Sequence, residues 1–202
     1  MITTKLAMIN LESVSREIEK QGAAGMEVAA DALNATIDYA RKIGGDAILD
    51  QVLFPPGYLD LDGRFAITER ATVGNPRAAV LARQRTTSLA RFVTSAPPPL
   101  KKGVVAVRVK RGGGGSLRAY MAPLKSGNVG VALRVKAGES LAGRTGGTAG
   151  LPVLREDKWG TVYLLSGPSV NQVFYNVADD IDDKVESHLV DQFVTLYEKR
   201  FG

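Results

Sequence analysis

The stretch with the clearest chemical spelling is Gly138-Glu139-Ser140-Leu141-Ala142-Gly143-Arg144-Thr145. Its spacing is that of a phosphate-binding loop, with Arg where Lys usually stands. That chemistry needs a helix to begin at the loop, so that backbone N–H groups and the helix dipole face the phosphates. The next residues, Gly146-Gly147-Thr148-Ala149-Gly150-Leu151-Pro152, do not support a helix and read as a surface loop. The run Ser166-Gly167-Pro168-Ser169-Val170 lacks the G-x-S-x-G spacing that lifts a serine nucleophile out of its turn. A single histidine, His188, sits near an apolar helical stripe with no marked carboxylate to orient it, and reads as structural. Asp179, Asp180, Asp182 and Asp183 flank Ile181 without the central Gly and closing Glu of a calcium loop. With no cysteine, thiolate metal sites and disulfide scaffolds are excluded. No catalytic residue, cofactor site or metal site is expected.

The signal that survives is electrostatic. Residues 1–62 hold 5 Lys/Arg against 10 Asp/Glu, residues 63–158 hold 18 against 4, and residues 159–202 hold 3 against 7. An acidic head and tail thus flank a basic middle, a pattern suited to nucleic acid, to an acidic protein, or to like copies meeting head to middle. The candidate cationic contacts are Arg83, Arg85, Arg91, Arg108, Lys110, Arg118, Arg134 and Lys136. The four aspartates around Ile181 are either a solvated face or contacts for a basic partner. Only Tyr120 interleaves aromatically with the cations, so base stacking is not expected. No run of 18 apolar residues occurs and no cleavage-site pattern comes after Lys5, so neither a membrane span nor export is expected.

The elements that must position these residues can be read from periodicity. Residues 11–43 read as helix in two segments meeting near Gln21-Gly22-Ala23-Ala24-Gly25, with Gly44-Gly45 as the stop. Leu11, Val14 and Ile18 form one stripe, and Val28, Ala32, Ala35 and Tyr39 another. Residues 54–63 are a Pro/Gly connection, and 64–73 and 78–86 are weaker strands. Residues 103–111 and 128–136 alternate with period two, which puts the valines on one face and Arg108, Lys110, Arg134 and Lys136 on the other. Residues 117–124 form a strand between them, and Lys125-Ser126-Gly127-Asn128 a hairpin turn. The last helix carries Val170, Val173, Phe174, Val177, Ile181, Val185, Leu189, Phe193 and Leu196 at spacings of three and four. Ser169 stands at its N-cap position and Gln172 three residues later. The expectation is one α+β domain over 1–202: N-terminal helices, a central antiparallel sheet with a basic face, and a long C-terminal amphipathic helix. Flexible loops are expected near 93–103, 111–116 and 138–150.

The corner Gly167-Pro168-Ser169-Val170, opening an amphipathic helix, resembles the minor tail protein Z and tail-completion (neck) proteins of tailed bacteriophages. Ala119-Tyr120-Met121, leading through Lys125-Ser126-Gly127-Asn128 into Val131-Ala132-Leu133-Arg134, is similar to that family's aromatic strand, turn and Arg-ended strand. Where the family has an aromatic before Gly-Pro, this chain has Ser166. The resemblance implies a non-enzymatic virion protein of the neck or upper tail, made in the host cytoplasm. It implies a ring of copies, hexameric in expectation, that completes the tail and joins it to the head. Tail terminator or tube proteins, head-connector proteins and double-stranded DNA in the lumen are then the expected neighbours. The alternative from the residues alone is a protein that binds DNA backbone through the Arg/Lys-rich sheet face.

Overall fold

The computed structural model describes residues 12–94, 103–139 and 151–202, with residues 12–21 as backbone only. The fold is α+β, and the chain packs as two compact units. The first comprises Met1–Asp50, Gly57–Gln84 and Val170–Gly202, and the second Gln51–Pro56 and Arg85–Ser169. The chain therefore passes from one unit to the other at 50/51, 56/57, 84/85 and 169/170.

The first unit is held by two helices. Helix α1 (Glu12–Gln51) is broken at Gly22, whose φ of 57° and ψ of −132° interrupt the helix where two segments are expected to meet. The stripe Leu11, Val14 and Ile18 lies outside the described side chains. Helix α2 (Val170–Phe201) buries Val170, Val173, Val177, Ile181, Val185, Leu189 and Phe193, with Phe174 and Leu196 half-buried, as its periodicity requires. The two helices run antiparallel, since Glu27 meets Arg200 at 2.7 Å while Thr36 lies 3.3 Å from His188. Val28, Ala29, Ala30, Ala32 and Leu33 close one end of this seam against Leu189 and Phe193. Their small side chains let the two backbones approach.

Helix α1 does not stop at Gly44-Gly45 but continues to Gln51. The glycines serve packing instead. A Cβ on Gly44 would lie 3.1 Å from Phe65 Cζ, 3.2 Å from Phe174 Cε2 and 3.5 Å from Ile181 Cδ1. A hairpin of β1 (Phe65–Glu69) and β2 (Ala79–Ala82) supplies Phe65, which is 1% exposed and meets Phe174 ring to ring at 5.1 Å. Asn34 ties the segment after β1 to α1 by exchanging two hydrogen bonds with the Ala71 backbone, at 3.0 and 2.9 Å.

The second unit is a sheet. Two short strands, β3 (Thr87–Ser88) and β9 (Ser166–Gly167), pair with each other. The main sheet is antiparallel in the order β4-β5-β6-β8-β7, with β4 Gly103–Val107, β5 Gly115–Pro123, β6 Val129–Val135, β7 Val153–Asp157 and β8 Gly160–Leu164. The turn between β5 and β6 forms as expected: Leu124 N–H donates to Asn128 O at 2.8 Å, and Gly127 takes a φ of 79°. Val105, Ala119, Met121, Val131, Val135 and Leu165 are buried on one face. The other face carries Arg118 and Arg134 around a different kind of centre. Ala122, Ala132 and Val162 are buried there with Tyr120 packed against them, so its centre is apolar.

Strand β4 is also shorter than the period-two run. Beyond Val107 the chain leaves β5 and pairs elsewhere: Arg108 N–H donates to Phe92 O at 2.8 Å, and Val109 O accepts from Leu53 N–H at 2.9 Å. Gly112-Gly113-Gly114 then turns it back into β5, with Gly112 at a φ of 74°. The loop expectations at 93–103 and 138–150 fall largely on 95–102 and 140–150, outside the described residues.

The α1–α2 seam is the main store of burial in the first unit, so Leu189→Ala should lower its unfolding free energy by about 2–5 kcal/mol. Urea denaturation followed by far-UV circular dichroism measures this. Ser187→Ala, two residues away on the exposed side, should change it by about 0.5 kcal/mol or less.

Candidate assembly surfaces

The corner Gly167-Pro168-Ser169-Val170 is where the chain returns to the helical unit. Gly167 lies in β9 against Phe92, where a Cβ would come within 2.8 Å of Cε2. Pro168 O accepts from Thr87 N–H at 3.3 Å, and Leu165 O accepts from Leu89 N–H at the same distance. Ser169 and Val170 are each 1% exposed. On the other side of the crossing, Asn171 N–H donates to Arg83 O at 3.1 Å. Outgoing and returning passes of the chain are thus hydrogen-bonded to each other within each unit, immediately before and after they change units. Both ends of the corner are anchored.

The structure distributes the eight candidate cations unevenly. Arg83 belongs to the helical unit, comes directly after β2 and directs its guanidinium to Tyr58 Oη at 3.3 Å. Arg85, Arg91, Arg108, Lys110, Arg118 and Lys136 are exposed residues of the sheet unit. Only Arg118 among them lies within a strand of the main sheet, opposite Val104 on β4. Arg108 and Lys110 lie past the end of β4, and Lys136 past the end of β6. Arg134 is withdrawn from the group altogether. Its guanidinium makes a fork with Asp157, at 2.6 and 3.0 Å, and its side chain is only 18% exposed. Asp179, Asp180, Asp182 and Asp183 are all exposed on α2, turned away from the buried stripe.

Asp157 is a residue that sequence reasoning passes over. Besides Arg134 it meets Arg155 Nε at 3.3 Å and accepts from the backbone N–H of Trp159 at 3.0 Å. The hydrogen bonds from Arg134 and Trp159, with the positive charge of Arg134 and Arg155, hold its carboxyl below the ordinary carboxylate range. The Asp157 carboxylate in turn raises the Arg134 guanidinium above its usual value. This network fixes the turn between β7 and β8. Gly160, with a φ of 126°, closes it so tightly that a Cβ would fall 2.0 Å from Val135 O. The turn presents Trp159, the one tryptophan of the chain, at 66% exposure. Strand β7 has no period-two pattern because four of its five residues are exposed, which is why the sequence does not announce the hairpin.

A cleft of about 210 Å³ in the helical unit is lined by Arg41, Lys42, Asp46, Tyr58 and Asp60 among others, and Arg41 is ion-paired with Asp60. Its lining offers no serine or histidine to make a nucleophile–base pair. His188 lies flat on Tyr39, with ring centroids 4.2 Å apart, and its Nδ1 meets Thr36 Oγ1. Among the described residues no group of three or more His, Cys, Asp or Glu is placed to hold a metal ion. Nor is any described helix long and apolar enough to cross a membrane.

A carboxylate with a lowered folded-state pKa stabilises above its unfolded value of about 4, and that contribution is lost as pH falls through the folded value. Asp157→Asn should therefore abolish the part of the acid sensitivity of the β7–β8 turn that lies below pH ~4. Trp159 fluorescence against pH reads this directly. An unchanged profile would mean that the Arg134–Asp157 fork does not hold the turn.

Compared with protein-family models, curated proteins and solved structures, the chain matches none.

Proposed function

We propose that this chain is a non-enzymatic structural protein that binds copies of itself in a ring, completing a phage tail at the neck where it joins the head. The observation that carries this is the division of charge between the two units. The helical unit holds 12 Lys/Arg against 18 Asp/Glu, net −6, and the sheet unit 14 against 3, net +11. Opposite charges carried on two separately packed bodies favour contact between the basic unit of one copy and the acidic unit of the next. Such a contact uses different surfaces on the two copies, and it closes into a ring when its rotation permits. Tail terminator or tube proteins and head-connector proteins would take the ring's two ends, in a virion. Ring number, six by resemblance, is set by the angle of the contact.

Electron microscopy of a lysate in which this gene alone is disrupted tests the reading. Full heads beside complete but unattached tails are expected; normal infectious particles would overturn it. With the purified chain, association should weaken as salt rises from about 0.05 M to about 0.5 M, because screening shortens the reach of exposed charge.

A second reading, DNA-backbone binding, draws support from the exposed Arg85, Arg108, Lys110, Arg118 and Lys136 in the unit of net +11. Neutralising Arg108, Lys110, Arg118 and Lys136 should then abolish double-stranded DNA binding at about 0.15 M salt and flatten its salt dependence. Arg134→Gln should have far less effect, since its charge is already engaged by Asp157.

A further inference from the structure

The β7–β8 turn has the attributes of a docking anchor. Tryptophan is the residue type most enriched where interface energy concentrates, and an ordered side chain loses little entropy on binding. Trp159 is the most exposed of the large hydrophobic side chains among the described residues. Yet the turn beneath it is held by the Arg134–Asp157 fork, by its own N–H on Asp157 and by Gly160. An exposed apolar residue on so fixed a base is costly to leave in water and pre-shaped to leave it. Its surroundings are mainly cationic. Lys158 Nζ lies 5.1 Å from the indole centroid, and Arg155, which meets Asp157 at 3.3 Å, keeps its side chain 63% exposed. Glu156 is the opposing charge on the hairpin, since Asp157 is engaged by Arg134. Strand addition at the β7 edge is disfavoured, because register shifts between Val153 and Arg155 and the strand carries three charged residues. Docking here should proceed through side chains.

The complementary surface lies on the acidic unit. The side of α2 opposite its buried stripe carries, at spacings of three and four, Tyr175, Asp179, Asp183, Glu186 and Val190. Tyr175 is 64% exposed and Val190 41%, so two apolar positions bracket three carboxylates on one helical face. A cation-rimmed indole fits such a face, apolar to apolar and positive to negative. We propose that Trp159 of one copy docks on the Tyr175–Val190 face of α2 in a second copy. This contact belongs to the self-assembly proposed for the chain and rests on that reading.

The absence of native cysteine allows a direct test. Full-length chains carrying Lys158→Cys and Val190→Cys singly, one of them enlarged by a tag, are mixed under mild oxidation while native mass is measured by light scattering. A disulfide between the two different variants, well above either self-linked product, is the expected result. Trp159→Ala should remove it and weaken association about tenfold or more. Lys158→Glu with Arg155→Glu should weaken association as well, and Asp179→Lys with Asp183→Lys on the partner copy should restore it. Oligomers that form without the mixed disulfide, or that ignore Trp159→Ala with circular dichroism unchanged, would overturn this contact and leave the ring reading standing. A chain monomeric to millimolar concentration, with no mixed product, would overturn the contact too, while the lysate experiment decides the ring separately.

Discussion

Burial of the α2 stripe against the alanine-rich face of α1 is the constraint on which the rest of the architecture depends. It joins residues 28–44 to residues 174–196, so the chain between them must close back on this seam. At Gly44 a side chain would make Phe65 and Phe174 give way by a few tenths of an ångström. Once the helices are so committed, the sheet unit has the topology of an insertion. Asn171 donates to Arg83 within the helical unit and Thr87 donates to Pro168 within the sheet unit, next to the crossings at 84/85 and 169/170. The Gly-Pro-Ser-Val corner is a consequence of this closure.

The two units carry separate apolar cores and differ sharply in charge. Apolar burial closes the helical unit along one seam and the sheet unit on both faces of its central strands. Neither core asks for a net charge. An excess of +11 on the sheet unit opposes its own compaction through self-repulsion, and an acidic neighbour would relieve that. All three of its carboxylates, Glu139, Glu156 and Asp157, fall at or near the ends of β6 and β7, so its other surfaces are left without acidic residues.

Long-period signals in the sequence correspond closely to the fold. Every apolar position read on α2 is buried or half-buried, because a stripe over so many turns has no competing explanation. The break in α1 near Gly22 is legible for a local reason, a backbone conformation that favours glycine. Gly44 misleads because its reason is tertiary: glycine ends helices, but it also admits a neighbour, and the sequence does not say which. The run at 103–111 keeps its alternation past Val107 although its pairing partner changes, and alternation does not name a partner. Arg134 reads as one more exposed cation because Asp157 lies in a different strand, 23 residues on. Trp159 and its hairpin are missed for a related reason, since an edge strand exposed on both sides has no period to read.

The split of the helical unit across the chain also orders events in time. A ribosome delivers α1 before the sheet and α2 after it, with all of Arg85–Ser169 in between. The inserted sheet has every strand it needs before α2 is made, so it can close while the nascent chain is still growing. Helix α1 meanwhile has the β1–β2 hairpin as a partner but lacks α2. That interval is when the chain is most exposed to aggregation and to chaperones, and its length is set by how fast the sheet unit and α2 are translated.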